Sequence, residues 1–208
     1  MTKTIYVLSH NPELLWIADV GHDYYKVYLN NLHIGTKHNS NLYGECRAFL
    51  CDFEISDVTG IVNARWNNKY PKISTRLADL SKYIDLCNIK PNEVHAPWTC
   101  PSNWYTHTIN VHPDMKKLLD ELKEFSGLEF NDDKPTLWAN DMIMCKQTMH
   151  DWLAFWRKCF HHFDNKYGAL LPMMYHNMDP SRGPAYFYER ITALYFANRP
   201  DLKIIQIL

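Results

Sequence analysis

The stretch "DVTGIVNARWNN", Asp57 to Asn68, carries the first side chain suited to chemistry, Arg65, just past a short β-branched run. A guanidinium presents five donors in a rigid fork that matches phosphate or carboxylate. Asn63 precedes it, and Lys69, Lys72 and Arg76 follow closely. His10 and Asn11 close another apolar run, "IYVLSHN". An anionic ligand is the economical reading of this set; the competing one pairs Arg65 with a nearby carboxylate and leaves the lysines on a solvated helix face. Asp141, in "NDMIMC", stands on an expected strand that leads into a helix. It reads either as a general base or as an exposed strand residue or helix-directed cap. Glu189, in "YFYERI", reads as a catalytic carboxylate or as the ion partner of Arg182 or Arg190 that holds the last helix. Glu45 flanks an apolar helical face and is placed to fix Arg65 from behind.

Metal-ligating patterns are weak. The sequence "NDD", Asn131 to Asp133, is the only conventional carboxylate pair, and beside Lys134 and Pro135 it reads as a turn. His107 and His112 are five apart, and His161 and His162 are adjacent, so neither pair belongs to a recognisable ligand set. The six cysteines lack a CxxC pair and are expected to be reduced thiols of a cytosolic protein.

The elements that must position these residues alternate. "TIYVLSH" and "DVTGIV" read as strands, with a possible extended segment at "DYYKVYL" between them. "NSNLYGECRAFLCDF" has Leu42, Cys46, Phe49, Leu50 and Phe53 at helical spacing, and "RLADLSKYIDLC" has Leu77, Leu80, Ile84 and Cys87. Pro91, Pro97 and Pro101 mark an irregular loop, after which "WYTHTINV" has β character. "HPDMKKLLDELKEFSG" is the clearest helix, with Gly127 as its stop. "TLWANDMIMC" is expected as a strand, and "TMHDWLAFWRKCFHHF" as a helix opened by a Thr148/Asp151 capping box. Its stripe of Trp152, Trp156, Phe160 and Phe163 is expected in the core. A last helix ends before Pro200, and the apolar "KIIQIL" closes the chain. This alternation predicts one α/β domain over residues 1–208, with a largely parallel sheet flanked by helices and ligands beyond the carboxyl ends of its strands.

At 208 residues and 46% hydrophobic content the chain can bury a full core, and no window approaches the length of a spanning helix. The net charge of −1 gives no overall case for nucleic acid or anionic membrane. Residues 65–90 nevertheless hold 6 basic and 2 acidic side chains, interleaved with Trp66 and Tyr70.

Four stretches, in order and over most of the chain, resemble the glycosyltransferases of bacterial polysaccharide clusters grouped as domain of unknown function 4422. "IYVLSHN" is similar to the family's first strand, which ends in His-Lys. "NLYGECRAFLCDFEISDVTGIVNARW" resembles its helix and following strand, with Glu45, Gly60 and Arg65 at matching positions. "NDMIMCK", Asn140 to Lys146, is similar to its Asn-Met-Phe-Ile-Met-Lys strand, and Arg182 with Glu189, Arg190 and Ile191 to its late Arg and Glu-Arg-Leu. The chain departs from the family where His-Tyr-Arg-Arg is replaced by Asn63, Ala64, Arg65 and Trp66.

The resemblance implies a GT-A-like fold, related to the Rossmann fold, and transfer of a sugar from a nucleotide-sugar donor to a hydroxyl acceptor. Positive charge must then meet the leaving diphosphate, and a base must take the acceptor's proton if configuration inverts. Arg65, with His10, Asn11 and Asn63, is expected on the donor, Asp141 as first and Glu189 as second candidate for catalysis, and Glu45, Arg182 and Arg190 as supports. No divalent metal is expected, because Asn63-Ala64-Arg65 stands where many such enzymes have Asp-x-Asp. A saccharide acceptor is the leading expectation. A modified DNA base, or a non-catalytic protein that holds glycan or nucleotide, are the alternatives.

Overall fold

The structure, a computed structural model, describes residues 1–9, 25–29, 44–52, 54–63, 77–168, 170–171 and 183–207. β1 (Lys3–Ser9) sends Tyr6 and Leu8 into one core and Ile5 and Val7 into another, as a strand covered on both faces must. β3 (Val58–Asn63) divides Ile61 from Val58 and Val62 in the same way. So does β7 (Met142–Cys145), which sets Met142 and Met144 against Ile143.

β2 (Tyr25–Leu29) and β3 each pair in parallel with β1. β7 lies antiparallel between β3 and β4 (Glu93–Ala96), and β8 (Lys203–Gln206) runs parallel to β4. The order is β2-β1-β3-β7-β4-β8, an α/β sheet that is largely parallel, with β7 opposing the rest. Where β1, β3 and β7 lie side by side, Gly60 is needed for space. A Cβ there would fall 2.6 Å from Ile5 Cδ1 and 3.0 Å from Ile143 Cγ1.

Helices cover both faces. α1 (Leu77–Leu86) packs Leu80 and Ile84 on the Ile5/Val7 side. α2 (Trp104–Val111), α3 (Lys116–Ser126), α4 (Lys146–Tyr167) and α5 (Gly183–Ala197) contribute to the other core, with a 3-10 helix at Gly44–Leu50. The aromatic stripe of α4 is buried as expected, and Phe49 stands edge-on to Trp152 and Trp156, 5.0 Å from each. Gly127, at φ 69°, ends α3 in the left-handed conformation that glycine adopts without strain. β4 is tied to α1 by buried His95, whose Nδ1 lies 2.5 Å from the Tyr83 hydroxyl and whose Nε2 lies 3.3 Å from Glu93 Oε2.

Four local expectations are corrected, the first being that the segment marked by Pro91, Pro97 and Pro101 carries the strand β4 rather than only an irregular loop. "WYTHTINV" is the helix α2, not β structure, because Asp132 caps it from a distant loop. Its carboxylate accepts the Tyr105 N–H at 2.7 Å, the Thr106 N–H at 3.1 Å and the Thr106 hydroxyl at 2.5 Å. "TLWANDMIMC" divides into β6 (Thr136–Leu137), which pairs with β5 (Thr99–Cys100) in a second small sheet, and β7. Hydrogen bonds to α5 bend the segment between them: Thr136 donates to the Ala193 carbonyl at 2.6 Å, and Thr192 to Asn140 Oδ1 at 2.8 Å. The expected capping box is absent, since α4 starts at Lys146. Thr148 instead donates to the Pro91 carbonyl at 2.9 Å, and Asp151 accepts from the Gln147 amide at 2.8 Å.

Among the described residues no helix is long and apolar enough to cross a membrane.

Candidate functional site

From β1 the chain passes to β2 on one side and to β3 on the other, so the carboxyl ends of β1 and β3 flank a topological switch point. β7 runs the opposite way and brings its beginning to that same edge. Met142 pairs with Ile61, and Asp141, one residue earlier, reaches the end of β3. Its Oδ1 accepts the Asn63 backbone N–H at 2.6 Å, and the residue is 5% exposed. Two of the expected site residues, 78 positions apart in sequence, are thereby joined.

Asn140 organises the surroundings. Its amide donates to Cys46 Sγ at 3.3 Å, and its carbonyl oxygen takes the Thr192 hydroxyl. The bend before β7 is therefore bound both to the 3-10 helix that carries Glu45 and to α5, which carries Glu189 and Arg190. The side chain of Glu45 lies outside the described residues, as do His10, Asn11, Arg65 and Arg182.

Arg190 is 4% exposed, with its guanidinium 4.7 Å over the Trp138 ring and Nη1 donating to the Trp138 carbonyl at 3.3 Å. Glu189 Oε2 stands 4.0 Å from Nη2, the outer limit of an ion pair, and Nε has no partner among the described residues. Burial pushes the guanidinium below the ordinary arginine range, with the Glu189 charge opposing. His107 meets the edge of Trp138 at 4.7 Å, and His112 stacks on Tyr186 at 5.3 Å. Burial, then the Arg190 charge, holds His112 below the usual imidazole range.

Both carboxylates of the "NDD" stretch have other partners. Asp132 is committed to the start of α2, and Asp133 sits 3.4 Å from Lys134 Nζ. Among the described residues no group of three histidine, cysteine or carboxylate side chains is arranged to hold a metal ion.

The rim beyond β4 was not singled out as a site by residue type. Trp98 is 48% exposed there, and Thr99 donates its hydroxyl to Gln206 Oε1 at 3.1 Å. The sequence signal is "APWTCP", a tryptophan set between prolines just past a strand. The histidines and Trp138 around Arg190 carried none, because they converge from separate elements.

No family model matches this chain, and no curated protein matches it in sequence. A solved structure described as the WbbM bifunctional glycosyltransferase in its apo form superimposes with a TM-score of 0.62 at 14% identity. The chain shares a glycosyltransferase's fold. The match covers 99% of this chain and 44% of that one, so the chain spans less than half the length of the glycosyltransferase.

Proposed function

We propose that the protein is a nucleotide-sugar-dependent glycosyltransferase of GT-A type that acts on a saccharide hydroxyl in polysaccharide biosynthesis. The observation that carries the reading is the buried Asp141 carboxylate, held on the Asn63 N–H at the strand edge where α/β sheets bind ligands. The fold shared with a glycosyltransferase agrees with it.

In this mechanism the acceptor oxygen attacks the anomeric carbon while the bond from that carbon to the diphosphate oxygen breaks. Asp141 receives the acceptor's proton, and the nucleoside diphosphate leaves. Arg65, two residues past Asn63, meets the charge that grows on the diphosphate, with His10 and Asn11 following β1 on the donor side. Arg190 supports the wall behind Asp141, Glu189 is the second candidate for the base with Arg182 as its ion partner, and Glu45 supports Arg65. An arginine takes the place of a divalent cation, so the reaction runs without metal.

The test is transfer from a panel of nucleotide sugars by wild type and Asp141→Asn, with and without EDTA. Removing the base is expected to lower kcat by about a hundredfold or more. Wild-type transfer persists in EDTA. Equal rates in the two proteins would remove Asp141 from the chemistry. Loss of transfer in EDTA, restored by Mn²⁺ in wild type but not in Asp141→Asn, would make Asp141 a metal ligand instead. Binding of nucleotide sugar with no turnover would leave a non-catalytic binding protein.

A further inference from the structure

Trp98 occupies a position that the proposed chemistry has not used. β4 pairs Val94 with Met144 and His95 with Ile143 of β7, so the end of β4 and the start of β7 lie side by side at the carboxyl edge of the sheet. The small sheet gives the same neighbourhood from the other direction. Thr99 pairs with Leu137, so Trp98 immediately precedes a strand paired to the segment that leads, four residues on, to Asp141. Adjacent strands lie about 5 Å apart, roughly the width of one sugar ring.

The chemistry around Trp98 is that of a saccharide platform. An indole left 48% exposed is an unusual use of the largest apolar side chain, and tryptophan rings stack on the C–H face of a pyranose while neighbouring polar groups take its hydroxyls. β8 sets Gln206 opposite Ala96, at the same carboxyl edge. The Gln206 side-chain carbonyl is oriented by the Thr99 hydroxyl, next in sequence to Trp98, at 3.1 Å, which leaves its amide N–H groups as donors.

We propose that Trp98, with Gln206 and Thr99, forms the acceptor subsite: the indole stacks on the sugar that carries the attacking hydroxyl and sets that hydroxyl against Asp141. The proposal rests on the glycosyltransferase reading and adds the chemical class and location of the acceptor. The ligand is a neutral pyranoside, recognised by one apolar face and two or three hydroxyls. Trp98 is a positioning residue, since it takes part in no bond that forms or breaks.

The test uses p-nitrophenyl glycosides of glucose, galactose, mannose and N-acetylglucosamine as acceptors for wild type, Trp98→Ala, Trp98→Phe and Gln206→Ala, with thermal unfolding as a check on folding. Trp98→Ala is expected to raise the acceptor KM about tenfold, with no rise in the donor KM, and Trp98→Phe to recover most of the loss. An unchanged acceptor KM in Trp98→Ala, or a rise in the donor KM alone, overturns the subsite while the glycosyltransferase reading stands. If wild type turns over no nucleotide sugar, that reading fails, and saturation-transfer NMR with the same glycosides decides the subsite by itself. Signals lost in a folded Trp98→Ala then uphold a saccharide site, and signals absent from wild type or unchanged in the variant overturn it.

Discussion

Arg190 is the residue whose environment asks most for a reason. A guanidinium almost wholly removed from water, with a carboxylate no nearer than 4.0 Å and Nε unpartnered among the described residues, costs folding energy that its contacts only partly return. Arg190→Met keeps the length and the packing over Trp138 while removing the charge. Unfolding in urea should show a stability equal to wild type or higher by about 1 kcal/mol, since buried ionic groups are often replaced by apolar ones without loss. Transfer activity should fall in the same protein. A loss of several kcal/mol in stability would show instead that the charge holds the fold. That "MIMC" forms a buried strand was legible, because the run is apolar throughout; the contact between Asp141 and the Asn63 N–H was not, since it depends on the direction of β7.

At the scale of elements, the compact apolar run of β1, the β-branched run of β3 and the stripes of α1, α3 and α4 could be read directly, because a strand buried on both faces is apolar throughout and a helix buried on one face leaves a periodic trace. What could not be read are the elements fixed from elsewhere. α2 contains Thr106, Thr108, Ile109 and Val111, a β-branched composition, and becomes helical where Asp132 satisfies its first N–H groups. The bend between β6 and β7 is likewise written in α5, more than fifty residues away, through Thr192 and the Ala193 carbonyl. Gly60 joins three strands and gives the prediction for this scale. Gly60→Val would force Ile5 and Ile143 from their places and should lower stability by about 2 to 3 kcal/mol, with the urea midpoint shifted and the slope kept. A variant as stable as wild type would mean that the three strands separate more easily than their packing implies.

For the whole molecule, stability should depend on pH through histidine. Burial pushes His95 below the usual imidazole range, with Glu93 opposing, so the neutral ring accepts the Tyr83 O–H at Nδ1 and donates from Nε2 to Glu93. The unfolded chain therefore takes up the proton first. Its contribution is complete above about pH 6.5 and is lost as pH falls through the folded value, and His112 acts with the same sign. The urea midpoint should drop between pH 7.5 and pH 5.5, and His95→Gln should flatten part of that drop. A midpoint unchanged over the interval would place both rings in contact with water.

β7 also sets an order of events. The group β2-β1-β3 and the pair β4-β8 touch in the sheet only through this strand, so neither can join the other before it is made. About 80 residues separate the end of β3 from the start of β7, which at ribosomal rates is roughly 4 to 16 s of synthesis. Throughout that interval the apolar edge of β3 is open to any other nascent strand, and the chain's yield in the cell should respond to chaperone supply and to translation speed between Asn63 and Met142.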